Sequence, residues 1–146
     1  MSLPDFTDDP SIAESERLLR RIHLKQIVKD EDTGLARISS GAFRDKELSV
    51  DIEKVLRGRG QEIDFCLKGQ RACKLAYFTA GSAMQFQQVV FHDPMPDDPA
   101  HGIVYGSKNN RRICEGLRDS AIWAIPAQAP LYEDIEAEKK ELGMLS

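Results

Sequence analysis

The sequence predicts a single α+β domain, an antiparallel sheet with helices packed on one face. Three observations carry that expectation. Short runs of β-branched and aromatic residues recur, with a two-residue alternation at Leu48, Val50 and Ile52 and apolar triplets at residues 89–91 and 103–105. One longer stretch places Ile113, Leu117 and Ala121 at helical spacing. The chain has 146 residues, 41% hydrophobic and 30% charged, the make-up of one ordinary domain able to bury a core without disulfides or metals.

Taken in order, residues 1–12 hold prolines and acids with little to bury and are expected as a flexible N-terminal arm ahead of a core domain at 13–126. Acids and prolines also stand where a secretory leader needs a basic and then an apolar run. Residues 13–24 pass from helix-compatible composition into alternation around Leu19 and Ile22, leaving open a strand throughout or a short helix feeding one. A polar turn ending at Gly34 precedes a strand at 35–38, which Ser39, Ser40 and Gly41 break. A charged turn then leads to a strand at 48–52 with its apolar residues on one face. A helical turn at 53–59 ends at Gly58 and Gly60, a short helix closes near Gly69, and 75–79 reads as strand. Residues 80–88 suit either more strand or a short helix.

Residues 88–106, QVVFHDPMPDDPAHGIVYG, organise the rest. The flanking triplets suit a pleated surface, whereas Pro94, Pro96 and Pro99 each remove a backbone donor and push the preceding residue towards extended conformations. The two runs therefore pair as an antiparallel hairpin with a wide, rigid, acidic tip. Asn109 and Asn110 introduce a helix over 111–125, which Pro126 stops. Residues 127–146 form a charged C-terminal helix or tail with Tyr132, Ile135 and Leu142 as its apolar handles.

The ordered motifs RRIH (residues 20–23), ISSGAFRD (38–45), LSVD (48–51), VVFHDPMPDDPAH (89–101) and GIVYGSK (102–108) resemble a family of small bacterial proteins. The resemblance covers most of the chain between Arg20 and Trp123. It implies no activity, ligand or cofactor.

Four groups of residues are candidates for chemistry. His92, Asp93, Asp97, Asp98 and His101 surround the proline loop, and these are ligand types that zinc, manganese or iron accept, with His92 and His101 the metal candidates. Their spacing matches no metal motif, and a structural or partner-binding loop accounts for them as well. Arg21, His23 and Ser49, with Arg20, Ser39 and Ser40 nearby, resemble in order the NAD-gripping residues of ADP-ribosyltransferase-like enzymes, in which an arginine forks onto pyrophosphate and a serine meets the ribose. The late glutamate of such enzymes is missing. Lys108, Arg111, Arg112 and Arg118 form a basic helix start suited to an anion or a nucleic-acid backbone, or a solvated helix face. Cys66, Cys73 and Cys114 lack the close pairs of a zinc site and read as reduced core thiols, with Cys114 beside arginines that would lower its pKa if it were exposed.

A net charge of -4 argues against a dedicated nucleic-acid binder, and no apolar run is long enough to cross a bilayer. The expectation is a cytoplasmic protein that binds a protein partner through the acidic loop and the basic helix start. The competing reading is an enzyme, NAD-using through Arg21, His23 and Ser49 or metal-dependent through His92 and His101. Which cofactor, if any, the chain uses is left open, with NAD and a metal ion tied only to that competing reading.

Overall fold

The structure, a computed structural model, describes residues 9–144. Strands β1 (Arg17–His23), β4 (Glu47–Ile52), β5 (Cys73–Thr79), β6 (Val89–His92), β7 (His101–Tyr105) and β8 (Ile122–Ile125) form one antiparallel sheet in the order β6-β7-β4-β1-β5-β8. Two short strands, β2 (Ile27–Lys29) and β3 (Ala36–Ile38), pair separately. Helices are α1 (Glu53–Gly58), α2 (Ala80–Gln85), α3 (Arg111–Ser120) and α4 (Tyr132–Glu141). The expected architecture is therefore present, and the hairpin around the proline loop pairs Phe91 with Ile103 and Val89 with Tyr105.

Side chains alternate across the sheet, so the parity of each strand decides what its residues meet. Leu18 and Ile22 of β1, Leu48, Val50 and Ile52 of β4, Phe78 of β5, Val90 of β6 and Val104 of β7 point to one face. There they pack with Ala80 and Ala83 of α2, Leu117 of α3 and Ile135 of α4. Phe43 meets Phe78 edge to face at 5.9 Å, a favoured aromatic geometry. Burying each of the larger side chains completely stabilises the fold by about 1.5–3 kcal/mol. On the opposite face Leu19 and Leu75 gather a smaller cluster with Leu56 of α1, Cys66 and Ala100. The 3₁₀ turn Ile63–Leu67 and the proline loop thus cover only part of that face.

Arg20 shapes the middle of the sheet. The β1–β4 ladder pairs Leu18 with Ile52 and Leu19 with Asp51. Beyond it the Arg20 guanidinium enters, donating to Ser49 O at 3.0 Å and Ala42 O at 3.1 Å. The arginine thus supplies Ser49 O with the donor that a continued ladder would have given it.

Two expectations change. The helix predicted over 111–125 ends at Ser120, and Ala121 turns extended at ψ 142 so that β8 can pair with β5. Ile122, Trp123 and Ile125 fit a helical stripe by spacing, but β-branched and aromatic residues beside an open sheet edge are better satisfied by ladder hydrogen bonds. At the other end, Ile12 lies at the boundary of the expected arm yet is buried against the core, and Asp9 N donates to Val90 O at 2.9 Å. Residues 1–8 of that arm and residues 145–146 of the tail lie outside the described residues.

Close approach rather than a turn explains one glycine. A Cβ on Gly116 of α3 would lie 2.3 Å from ring carbons of Phe86, which follows α2, so the missing side chain lets the two helices meet.

Candidate functional site

The partly covered face of the sheet holds the site. On β4, Ser49 and Asp51 share that face, opposite to Leu48, Val50 and Ile52. The β4–β7 register sets Asp51 across from His101 and Ser49 across from Ile103. Arg21 of β1 reaches the same place. Its Nη2 lies 3.1 Å from Asp51 Oδ2, and its Nε donates to Cys66 O at 2.5 Å.

Asp51 is only 2% exposed, and its second oxygen, Oδ1, has no hydrogen-bond partner when its neighbours carry their ordinary charges. Asp98, delivered by the proline loop, is the group beside it. Burial first, and then hydrogen bonding and charge from Asp51, raise the Asp98 carboxyl from 3.8 to about 7, while Arg21 and His101 act in the opposite sense. Asp98 therefore keeps its proton up to about 7, and that proton gives it a donor to offer to Asp51. Burial, assisted by the Asp51 charge, also raises the Cys66 thiol, which keeps it protonated. Above the pair opens a cleft of about 390 Å³ lined by Arg21, Asp51, Phe65, Lys68, Asp97 and Asp98 among others.

The loop that carries Asp98 is held by its histidines. His92 Nε2 lies 2.7 Å from Pro99 O, and His101 Nδ1 lies 2.9 Å from Asp93 O. Met95 and Asp98 exchange backbone hydrogen bonds at 3.1 and 3.0 Å, closing the tip. Because His92 pairs with Gly102, the residue next to His101, the two imidazoles project from opposite faces of the hairpin. They do not converge on one ion, and among the described residues no group of three metal-ligating acids, histidines or cysteines is found.

Of the other candidates, Ser49 meets His101 and not His23: its Oγ lies 3.1 Å from His101 Nε2. His23 caps the 3₁₀ turn Leu24–Gln26, its Nδ1 accepting from Lys25 N. Arg21 is committed to Asp51, so the three residues of the NAD-gripping reading have separate partners. Ser39 caps the turn Ser40–Phe43.

The basic helix start is largely occupied by the fold itself. Lys108 is 4% exposed and donates its three protons to Lys46 O, Val104 O and Gly106 O at 3.0–3.2 Å. Burial pulls its pKa down to about 8. Arg111 bridges to Glu115 at 2.7 Å on the exposed surface, and Asn110 Oδ1 accepts from Arg112 N. A second cleft of about 470 Å³ lies here, lined by Ser40, Arg44, Asn109 and Arg111 with Lys108 and Cys114 at its floor. Cys114 is buried and near Lys108 O, so its neighbouring arginines do not make it a reactive thiol.

Sequence reasoning missed Asp51, and it read Cys66 as a core thiol without placing it beside that acid. A lone aspartate on an alternating strand looks solvated, and what buries this one is contributed by β1, β7 and the 63–67 turn. The signal available was its position two residues from Ser49, on the same face of β4.

No family model, no curated protein and no solved structure matches this chain. The functional reading accordingly rests on the geometry of the site.

Proposed function

We propose that this chain is a binding module, bacterial and cytoplasmic, whose cleft beneath the proline loop captures a cationic side chain of a protein partner. The observation that supports it is the carboxyl pair of the buried Asp51 and Asp98, where Asp98 is held protonated up to about 7 beside Asp51 at a cleft also lined by Asp97. Two carboxyls in contact keep one of them from ionising, and a cation in the cleft would relieve that repulsion while donating charge-assisted hydrogen bonds. A guanidinium or ammonium group fits: it supplies the hydrogen bonds that the Asp98 proton supplies in the free protein, and it brings the charge that lets Asp98 ionise. Arg21 does not compete, being engaged with Asp51 Oδ2 and Cys66 O. Three unpaired cysteines accord with a reducing compartment, and no helix among the described residues is long and apolar enough to cross a membrane.

The test is a titration of N-acetyl-arginine N-methylamide into labelled protein, followed by amide chemical shifts, with the citrulline analogue as the uncharged isostere. Saturable shifts at residues 51, 65, 68, 97 and 98 with the arginine compound, and none with citrulline, are expected. Equal shifts with both, or shifts scattered over unrelated surface acids, would end the proposal.

A further inference from the structure

Beside the cleft, on the same sheet face, Ser49, His101 and Asp93 stand in a row. His101 Nε2 lies 3.1 Å from Ser49 Oγ, and His101 Nδ1 lies 3.2 Å from Asp93 Oδ2 and 2.9 Å from Asp93 O. A backbone carbonyl only accepts, so Nδ1 carries the proton and Nε2 of the neutral ring presents its lone pair to the serine hydroxyl. The imidazole is well enclosed, with 12% of its side chain exposed, and Asp93 and the loop fix its orientation. Ser49 itself is exposed. Across the ladder from Ser49 stands Ile103, and Phe91 pairs with Ile103 from the next strand, so the serine is flanked by half-buried apolar side chains.

We propose that this row is a proton relay that makes Ser49 a nucleophile towards esters of apolar acids. Ser49 Oγ attacks the acyl carbonyl carbon while His101 Nε2 takes the hydroxyl proton. The tetrahedral adduct collapses, the carbon–oxygen bond to the alcohol breaks, and Nε2–H returns the proton to the departing oxygen. Water then attacks the Ser49 ester by the same route and releases the acid. Asp93 stabilises the imidazolium formed in each step, as the carboxylate of a serine–histidine–aspartate triad does. The apolar strip at Ile103 and Phe91 receives the acyl chain.

This inference does not depend on capture of a cation in the cleft, because its assay contains no cationic ligand. The protein is incubated with 4-nitrophenyl butyrate, nitrophenolate release is followed, and the acylated residue is mapped by peptide mass. The expected result is a butyryl group on Ser49, absent from the equally exposed Ser107 and abolished in Ser49→Ala. His101→Gln is expected to slow acylation about 100-fold or more, the range that removal of a general base commands. Asp93→Asn, a change at a half-exposed side chain, serves in its place if the glutamine variant does not fold, and is expected to slow acylation as well. Modification of Ser49 no faster than Ser107, or an acylation rate indifferent to both variants, would overturn the proposal.

Discussion

Replacing Asp98 with asparagine separates what the cleft costs from what it does. The carboxyl is raised from 3.8 to about 7 by burial and by Asp51, with Arg21 and His101 facing it from β1 and β7. A carboxyl raised in the folded state leaves stability undiminished below its unfolded value. Between about pH 4 and pH 7 the unfolded chain releases the proton while the folded chain keeps it, so stability is lost as pH rises and the loss levels off above about pH 7. At about 1.36 kcal/mol per pH unit the full separation corresponds to about 4 kcal/mol, and solvent screening of this partly exposed, proton-sharing group reduces the expected effect to about 1–2 kcal/mol. Asparagine has no proton to lose, and its amide can donate to Asp51 in the manner of the protonated acid. Asp98→Asn is therefore expected to match the natural protein near pH 4 and to exceed it by about 1–2 kcal/mol near pH 8. Urea denaturation at a series of pH values measures the difference. An advantage independent of pH, or a variant less stable at pH 8, would refute the account of Asp51 and Asp98 as a pair holding one proton. The same variant is expected to lose the arginine-dependent shifts, giving a more stable protein with an idle cleft.

Four further outcomes follow from the structure. Binding of the arginine compound should strengthen as pH rises through about 7, since the cation replaces the proton on Asp98; binding that weakens over this range would count against the exchange. Lys108→Met should lower stability by about 3 kcal/mol or more, because three carbonyls lose their donor together; thermal and urea denaturation will show it. Gly116→Ala should cost about 1–3 kcal/mol by forcing Phe86 out of its place, and an unchanged melting temperature would mean that α2 and α3 are not packed so closely. At most one thiol, Cys73, should react promptly with Ellman's reagent in the native protein, because Cys66 and Cys114 are buried, and all three should react in denaturant.

What was legible in the sequence was whatever is decided locally. The alternation at Leu48, Val50 and Ile52 needs no partner to announce a strand, and three prolines between two apolar triplets leave the chain few options besides a stiff hairpin. The strand Ile122–Ile125 was hidden because its spacing fits two templates, and only the distant edge of β5 chooses between them. The site was hidden for the same reason. His92 and His101 look equivalent as letters, but ladder register sends one to each side. Asp51 becomes a buried acid only when Arg21, His101 and the loop close over it, which are contacts across 30 or more residues of chain whose geometry no local pattern encodes.

The substitution of a guanidinium for ladder hydrogen bonds at Arg20 has mechanical meaning. It leaves the sheet as two three-stranded leaves, β6-β7-β4 and β1-β5-β8, stitched by a short seam. Ser49 and Asp51 ride on one leaf and Arg21 on the other. The Arg21–Asp51 ion pair therefore spans the seam and ties one leaf to the other on the face where the cleft opens.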